Sequence, residues 1–531
     1  MSNKSRLAAI AVLFGCLGFV PLVLTMNRSP LPWNDEILWA STSYSVFRHE
    51  EGAPSVLAEF PQAGRFDLFY GPVGFKLGVL AFKLFGISPI SFRLLSLLGA
   101  LIVTVASGLL VRVLGGSWLA AAVSFLLVAL SPEIGSRATT GRLDTFTVGL
   151  ELLALVALLT AFSRRKKTQY HLLAGLSGAL LASAALSTPR SWTFLFALFS
   201  CSIIFSLRSR EFRVNALHKI ITAGLILSTA LFLWVSSQKM TLLSWMRFIA
   251  GASMGDRWNS SPVLAGSWSL AGSNSSASAV AQGMVTPVLL LAIGISLAWA
   301  IRKFKDEGPA LRGSYFPFSI SVVILNAVVT LTLISRPLTY NIFWSLPILP
   351  VLVYATSKLF GEFSAAKRVW FYALWLSLAI CYCGIRTAKF AEIYASWPAR
   401  NPDYVEAFIR ANVPAGSRVY GPPEYYFYVV ERAQSTYRYA EEWTTPGLAR
   451  VAIEYRAQIQ PPRVYLSTFL LWPQNLALPK RFNDRSDLLA TLAPPLIKQS
   501  WIGRIAPSYT GGFPPTSLYK IRDEQSAGSA K

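Results

Sequence analysis

Charge is scarce in this sequence. Of its 531 residues 14% are charged and 53% are hydrophobic, whereas an ordinary soluble domain is roughly 25% charged. A soluble fold cannot cover that much apolar surface, so a bilayer is its natural solvent. Histidine is limited to His49, His171 and His218, too scattered for a His-built metal site. The four cysteines, Cys16, Cys201, Cys381 and Cys383, all fall in apolar runs. They indicate no disulfide framework, and Cys381-x-Cys383 is too closely spaced for a zinc pair. There is no Walker-type phosphate loop and no glycine-rich dinucleotide fingerprint between a strand and a helix. Those absences argue against a cytosolic nucleotide-sugar donor. The net charge of +23 would raise the question of nucleic acid in a soluble protein. Here the basic residues crowd into short loops between apolar runs, as cytoplasmic loops require, and no nucleic-acid motif accompanies them.

The apolar runs predict about eleven transmembrane helices. The first, Leu7 to Thr25, follows a short basic start and enters from the cytoplasm. The others lie near 93–113, 117–131, 145–163, 171–187, 191–207, 217–236, 280–300, 314–334, 340–357 and 368–386. Basic clusters such as Arg164-Arg165-Lys166-Lys167 and Arg302-Lys303-Phe304-Lys305 recur on the side that this count calls cytoplasmic. The expected fold is thus an α-helical polytopic membrane protein of the cytoplasmic membrane. Its transmembrane domain covers 1–386, with outer loops at about 26–92, 132–144 and 237–279. Residues 387–531 form an extracytoplasmic α/β domain, with a helix over Pro402 to Asn412 and short strands near 417–420, 463–466 and 518–521.

The residues able to carry chemistry lie in the outer loops. Trp33-Asn34-Asp35-Glu36 follows the first span and places two adjacent carboxylates at the membrane surface. Helix capping is the simpler explanation of such a pair. Arg142-Leu143-Asp144 ends the second outer loop, where Asp144 could cap the following span. Lys76, Arg137, Arg190 and Arg336 are basic residues on the outer side, where Lys and Arg are usually fewer. Snorkelling to lipid headgroups would also explain them. Tyr70 and Tyr340 are placed either to line a substrate site or to join an aromatic belt. The segment 251–279 has the composition of a lid or of a plain disordered loop.

The position of Asp35-Glu36 in the first outer loop resembles the acidic motif of the GT-C superfamily of membrane glycosyltransferases. The likeness is to its protein-mannosyltransferase and aminoarabinose-transferase-like branch. Phe69-Tyr70-Gly71-Pro72-Val73-Gly74-Phe75-Lys76 resembles that family's proline-rich segment, with one of its two prolines missing. Phe85 to Ser96, Arg142-Leu143-Asp144, Arg336 to Pro350 and Asn401 to Tyr420 follow in the family's order. The resemblance covers most of the chain in layout. It implies a GT-C fold and transfer of a sugar from a polyprenyl-phosphate donor to a lipid, glycan or protein acceptor on the outer face.

Such a transfer needs a base for the acceptor's proton and positive charge for the departing phosphate. Asp35 is the expected base, with Glu36 orienting it and Asp144 binding acceptor. Asp35, Glu36 and Asp144 could together hold a divalent cation (Mg, Mn or Zn). Arg142, Arg336, Lys76 and Arg137 are the expected phosphate ligands, with Tyr70 and Tyr340 lining the site. Two other classes compete. A transporter or flippase of lipid-linked sugars predicts internal repeats or ionisable residues at mid-membrane, whereas the acidic motifs here cluster at the outer surface. A non-catalytic scaffold would not need Asp35 and Asp144 together.

Overall fold

The computed structural model describes residues 3–29, 31–32, 34–48, 66–164, 166–249, 315–333, 340–362, 365–421, 423–432, 436–439, 463–468, 486–492 and 516–521. Helices dominate. In chain order they are α1 (Asn3–Leu17), α2 (Val20–Thr25), α3 (Asn34–Phe47), α4 (Phe66–Tyr70), α5 (Pro72–Phe85), α6 (Pro89–Val113), α7 (Trp118–Ala129), α8 (Pro132–Arg137) and α9 (Asp144–Ser163). They continue with α10 (Lys167–Ala185), α11 (Trp192–Arg208), α12 (Arg210–Ser237), α13 (Phe316–Leu333), α14 (Ile342–Glu362), α15 (Ala365–Ala395), α16 (Pro402–Asn412) and α17 (Tyr426–Arg432).

Their limits follow from local chemistry. Ser117 caps α7 by accepting from the Ala120 amide, and Ser131 does the same for α8 from Ile134, with Pro132 at its first turn. Asn401 and Pro402 open α16 in the same way, with the bounds its sequence predicts. Gly71, Gly86, Gly115 and Gly141 take positive φ at turns between helices, a conformation that costs glycine little.

Among the described residues seven helical stretches are long and apolar enough to cross a membrane: Asn3–Thr25, Pro89–Val113, Trp118–Arg137, Asp144–Ser163, Pro189–Arg208, Arg210–Ser237 and Ile342–Leu359. Phe316–Thr332 is a shorter apolar helix. These eight match eight of the eleven expected spans. The runs expected at 171–187 and 368–386 do form the helices α10 and α15, though neither is among the seven. The run at 280–300 lies outside the described residues, as does the segment 251–279. Leu7, Leu13, Phe14, Leu172, Leu207 and Phe232 remain exposed on long helices, as lipid-facing side chains do.

The chain packs into two compact units. The first comprises Met1–Val23, Leu68–Gly74 and Leu95–Lys389; the second comprises Leu24–Asp67, Phe75–Leu94 and Phe390–Lys531. In the first unit α9 and α12 pack against α10, α1 against α7, and α13 against α11 and α14. In the second, Trp39 of α3 meets Phe75 of α5 with ring centroids 4.9 Å apart. That unit also carries a five-stranded sheet of order β2-β1-β3-β5-β4. Its strands are β1 (Arg418–Gly421), β2 (Thr436–Tyr439), β3 (Arg463–Thr468), β4 (Ser486–Leu492) and β5 (Thr516–Ile521). β1 runs parallel to β2 and β3, whereas β5 runs antiparallel to β3 and β4. The expected strands correspond to β1, β3 and β5, while β2 and β4 are additional.

Candidate functional site

Asp144 opens α9 without capping it. The N-cap is Leu143, which makes no side-chain cap bond. The Asp144 carboxylate instead meets arginines. Arg142 Nε lies 2.9 Å from its Oδ2, and Arg190 Nη1 lies 4.0 Å from its Oδ1. Arg137, also buried, is near enough for its charge to act on the same carboxylate. Both of the first two lie against the Tyr340 ring, with the Arg190 guanidinium 3.7 Å and the Arg142 guanidinium 5.0 Å from its centroid. The Arg190 Nη1 is buried and makes no hydrogen bond. Among the described residues the cluster holds three guanidinium groups and one carboxylate.

Helix starts place these groups. α6 pins the loop before α9: Ser96 Oγ donates to the Arg142 carbonyl, and Thr145 Oγ1 donates to the Ser96 carbonyl at 2.8 Å. Gly99 lets the two helices touch, since a Cβ there would lie 2.3 Å from the Phe146 nitrogen. Arg190 sits in a 3-10 turn, Pro189–Ser191, opened by Thr188. Tyr340 precedes α14. A buried polar network joins these starts: Thr193 Oγ1 donates to Asn326 Oδ1 at 3.0 Å, and Asn326 Nδ2 donates to the Phe343 carbonyl at 2.8 Å. Tyr70 is half-buried in the first unit, edge-on to Phe69.

In the second unit Glu36 lies in the first turn of α3, fully buried, and is gripped by Arg93 of α6. Arg93 Nε donates to Oε1 at 2.6 Å and Nη2 donates to Oε2 at 2.7 Å. Its Nη1 donates to the Met26 carbonyl at 2.6 Å. This bidentate pair fixes the start of α3, which carries Asp35. The Asp35 side chain lies outside the described residues, as do Trp33 and Arg336. Lys76 is exposed on α5. Tyr428 of α17 is buried in this unit; burial pushes its phenol above the usual range, while the Arg93 charge pulls it down. Arg28 stacks on Trp397, 4.4 Å from the ring centroid, and Arg400 donates to the Arg28 carbonyl.

Arginine already pairs with the carboxylates of Glu36 and Asp144, and the Asp35 side chain lies outside the described residues. Among the described residues no group of three His, Cys, Asp or Glu side chains is gathered to hold a metal. Arg190, the outer arginine beside Pro189, joins the Asp144 cluster. The polar hinge Ser187-Thr188-Pro189-Arg190 between two apolar runs was the available signal. Finally, ionisable groups do occur within the spans: Arg93, Glu133 and Glu151 are all buried there. Glu133 accepts a hydrogen bond from Tyr382 of α15.

No protein-family model matches the sequence, and no curated protein matches it. Solved structures do. ArnT from Cupriavidus metallidurans bound to undecaprenyl phosphate aligns with a TM-score of 0.57 at 11% identity, covering 96% of this chain and 98% of that one. Its apo state aligns with a TM-score of 0.54. The Archaeoglobus fulgidus oligosaccharyltransferase in complex with Zn and sulfate aligns with a TM-score of 0.52 at 14% identity, covering 87% of this chain and 68% of that one. Likeness at such low identity speaks to architecture. The chain shares the fold of these solved structures over most of its length, the architecture that its sequence resemblance implied.

Proposed function

We propose that this protein is an inverting glycosyltransferase that moves a sugar from a polyprenyl-phosphate donor to an acceptor on the outer face of the membrane. The observation that carries this is Arg190 Nη1, a charged donor buried beside Asp144 without a hydrogen-bond acceptor. A buried charge of that kind calls for an anion. A phosphate monoester leaving group supplies one, and its charge grows as the glycosidic bond breaks. The ArnT neighbour holds undecaprenyl phosphate, a ligand of this class.

In the reaction the acceptor oxygen attacks the anomeric carbon while the bond from that carbon to the phosphate oxygen breaks. The bonding electrons leave on the phosphate, where Arg190 and Arg142 meet them, with Arg137, Lys76 and Arg336 as further ligands. Asp35 takes the acceptor's proton. Glu36 acts through position: its pairing with Arg93 holds the helix turn that carries Asp35. Asp144 keeps the arginines in place, and Tyr70 and Tyr340 line the site. The protein spans the cytoplasmic membrane with residues 387–531 outside.

The test is donor consumption by purified protein in lipid, with a panel of polyprenyl-phosphate sugars and membrane extract supplying acceptors. Wild type is expected to consume one donor and folded Asp35→Asn to consume none. Equal turnover by Asp35→Asn would remove the base assignment. No binding or consumption of any donor would remove the glycosyltransferase itself.

A further inference from the structure

Asp144 begins a polar face that runs down α9. Thr147 and Glu151 follow it at three and seven residues, spacings that keep all three on one side of a helix. At the rise of an α-helix Glu151 lies about 10 Å deeper than Asp144. Both deeper side chains are closed off from the surface, Thr147 at 0% and Glu151 at 1% exposure. The Thr147 hydroxyl and both Glu151 carboxyl oxygens make no hydrogen bond. Among the described residues neither carboxyl oxygen of Glu151 has a hydrogen-bonding or ion-pair partner. From α10 and α12, Tyr170, His171, His218 and Lys219 gather at the far end of α9, where Lys219 donates to the Phe162 carbonyl; α14 and α6, which also pack on α9, carry Tyr354, Lys358 and Arg112.

An ionised carboxylate in such surroundings has lost its hydration without gaining a partner, which is unfavourable. A metal cation would need about six oxygen ligands, and the helix carbonyls are already engaged in α9. A proton removes the charge without further ligands. The carboxylic acid then has a donor to offer, and the Thr147 hydroxyl one turn away is an oxygen that one bridging water would join to it. Ionisable groups retained inside a span mark ion or proton sites.

We propose that Glu151 and Thr147 form a proton-binding site inside the membrane domain, whose carboxyl proton exchanges with solvent along the polar face that ends at Asp144. The site rests on the membrane architecture and does not require glycosyl transfer, so it is tested without turnover.

The first measurement is the infrared difference between wild type and Glu151→Gln in lipid at pH 8, in H2O and in D2O. The expected result is a protonated-carboxyl C=O band, lost in the variant and shifted downward in D2O. A band that does not shift would mean a sealed acid and end the exchange. No band would mean an ionised Glu151 and end the site. The second measurement needs no variant. Dicyclohexylcarbodiimide adds the acid's O–H across its C=N bond and leaves an N-acylurea on protonated carboxyls. Peptide mass mapping of treated wild type is expected to find that adduct on Glu151 and not on the exposed Glu211. An unmodified Glu151 would overturn the proposal, as would modification abolished by sodium, which would make the site one for a cation.

Discussion

Replacing Glu36 by Gln leaves the Arg93 guanidinium buried with a neutral partner. Both side chains of the pair are 0% exposed, and three charge-assisted or carbonyl hydrogen bonds of 2.6–2.7 Å converge on Arg93. Breaking a buried pair from one side costs about 3–5 kcal/mol, because the remaining charge is stranded. Removing both charges with residues of similar volume is often neutral or stabilising, though the Met26 carbonyl then loses its donor at about 1–3 kcal/mol. Glu36→Gln, Glu36→Leu and Arg93→Leu should therefore each lower the thermal midpoint in detergent far more than Glu36→Leu/Arg93→Leu does. The cycle should show a coupling of at least about 2 kcal/mol, within the range for directly contacting groups. Single variants that melt with wild type, or a double variant that loses the sum of the two singles, would refute the idea that this pair anchors α3.

Arg190→Gln removes a charged donor worth about 1.5–3 kcal/mol to a bound anion. Undecaprenyl phosphate should then bind ten-fold or more weakly with an unchanged melting midpoint; equal affinity by thermophoresis would take Arg190 out of the site. Gly99→Ala forces a methyl to 2.3 Å from the Phe146 nitrogen, an overpacking that costs about 1–3 kcal/mol, and its melt should fall accordingly, whereas a wild-type melt would show that α6 and α9 part freely. Burial pushes the Tyr404 phenol up to about 12. An unfolded tyrosine ionises near 10, so the protonated phenol stabilises the fold fully below pH 10 and the contribution is lost as pH climbs to 12. Tyr404→Phe should lose stability less steeply than wild type across that window in alkaline unfolding, and parallel slopes would contradict the shift.

Hydropathy made most of the membrane helices legible, because lipid demands long apolar runs and little else resembles them. Arg142 and Asp144 were paired by proximity along the chain. Arg190 and Tyr340 join them only through packing of α11, α13 and α14, which no local pattern records. Glu36 read as a capping residue because its partner, Arg93, lies 57 positions away. Glu151 was hidden by its own surroundings: a single acid in the interior of a twenty-residue apolar helix that opens on Asp144 barely changes the window that identifies a span. In the tail, Thr436–Tyr439 is only four residues long and Ser486–Leu492 does not alternate cleanly between apolar and polar residues, so the strand form of both depends on neighbours in the sheet.

Two like charges, Arg142 and Arg190, lie against one tyrosine ring. The ring's negative face offsets part of their repulsion, so the pair is assembled before any ligand arrives. Folding does the electrical work of bringing the cations together, and an incoming anion finds them already in position. Association with such a pair should show a small entropic cost in calorimetry. A variant lacking the ring, Tyr340→Leu, would shift that work onto the binding step.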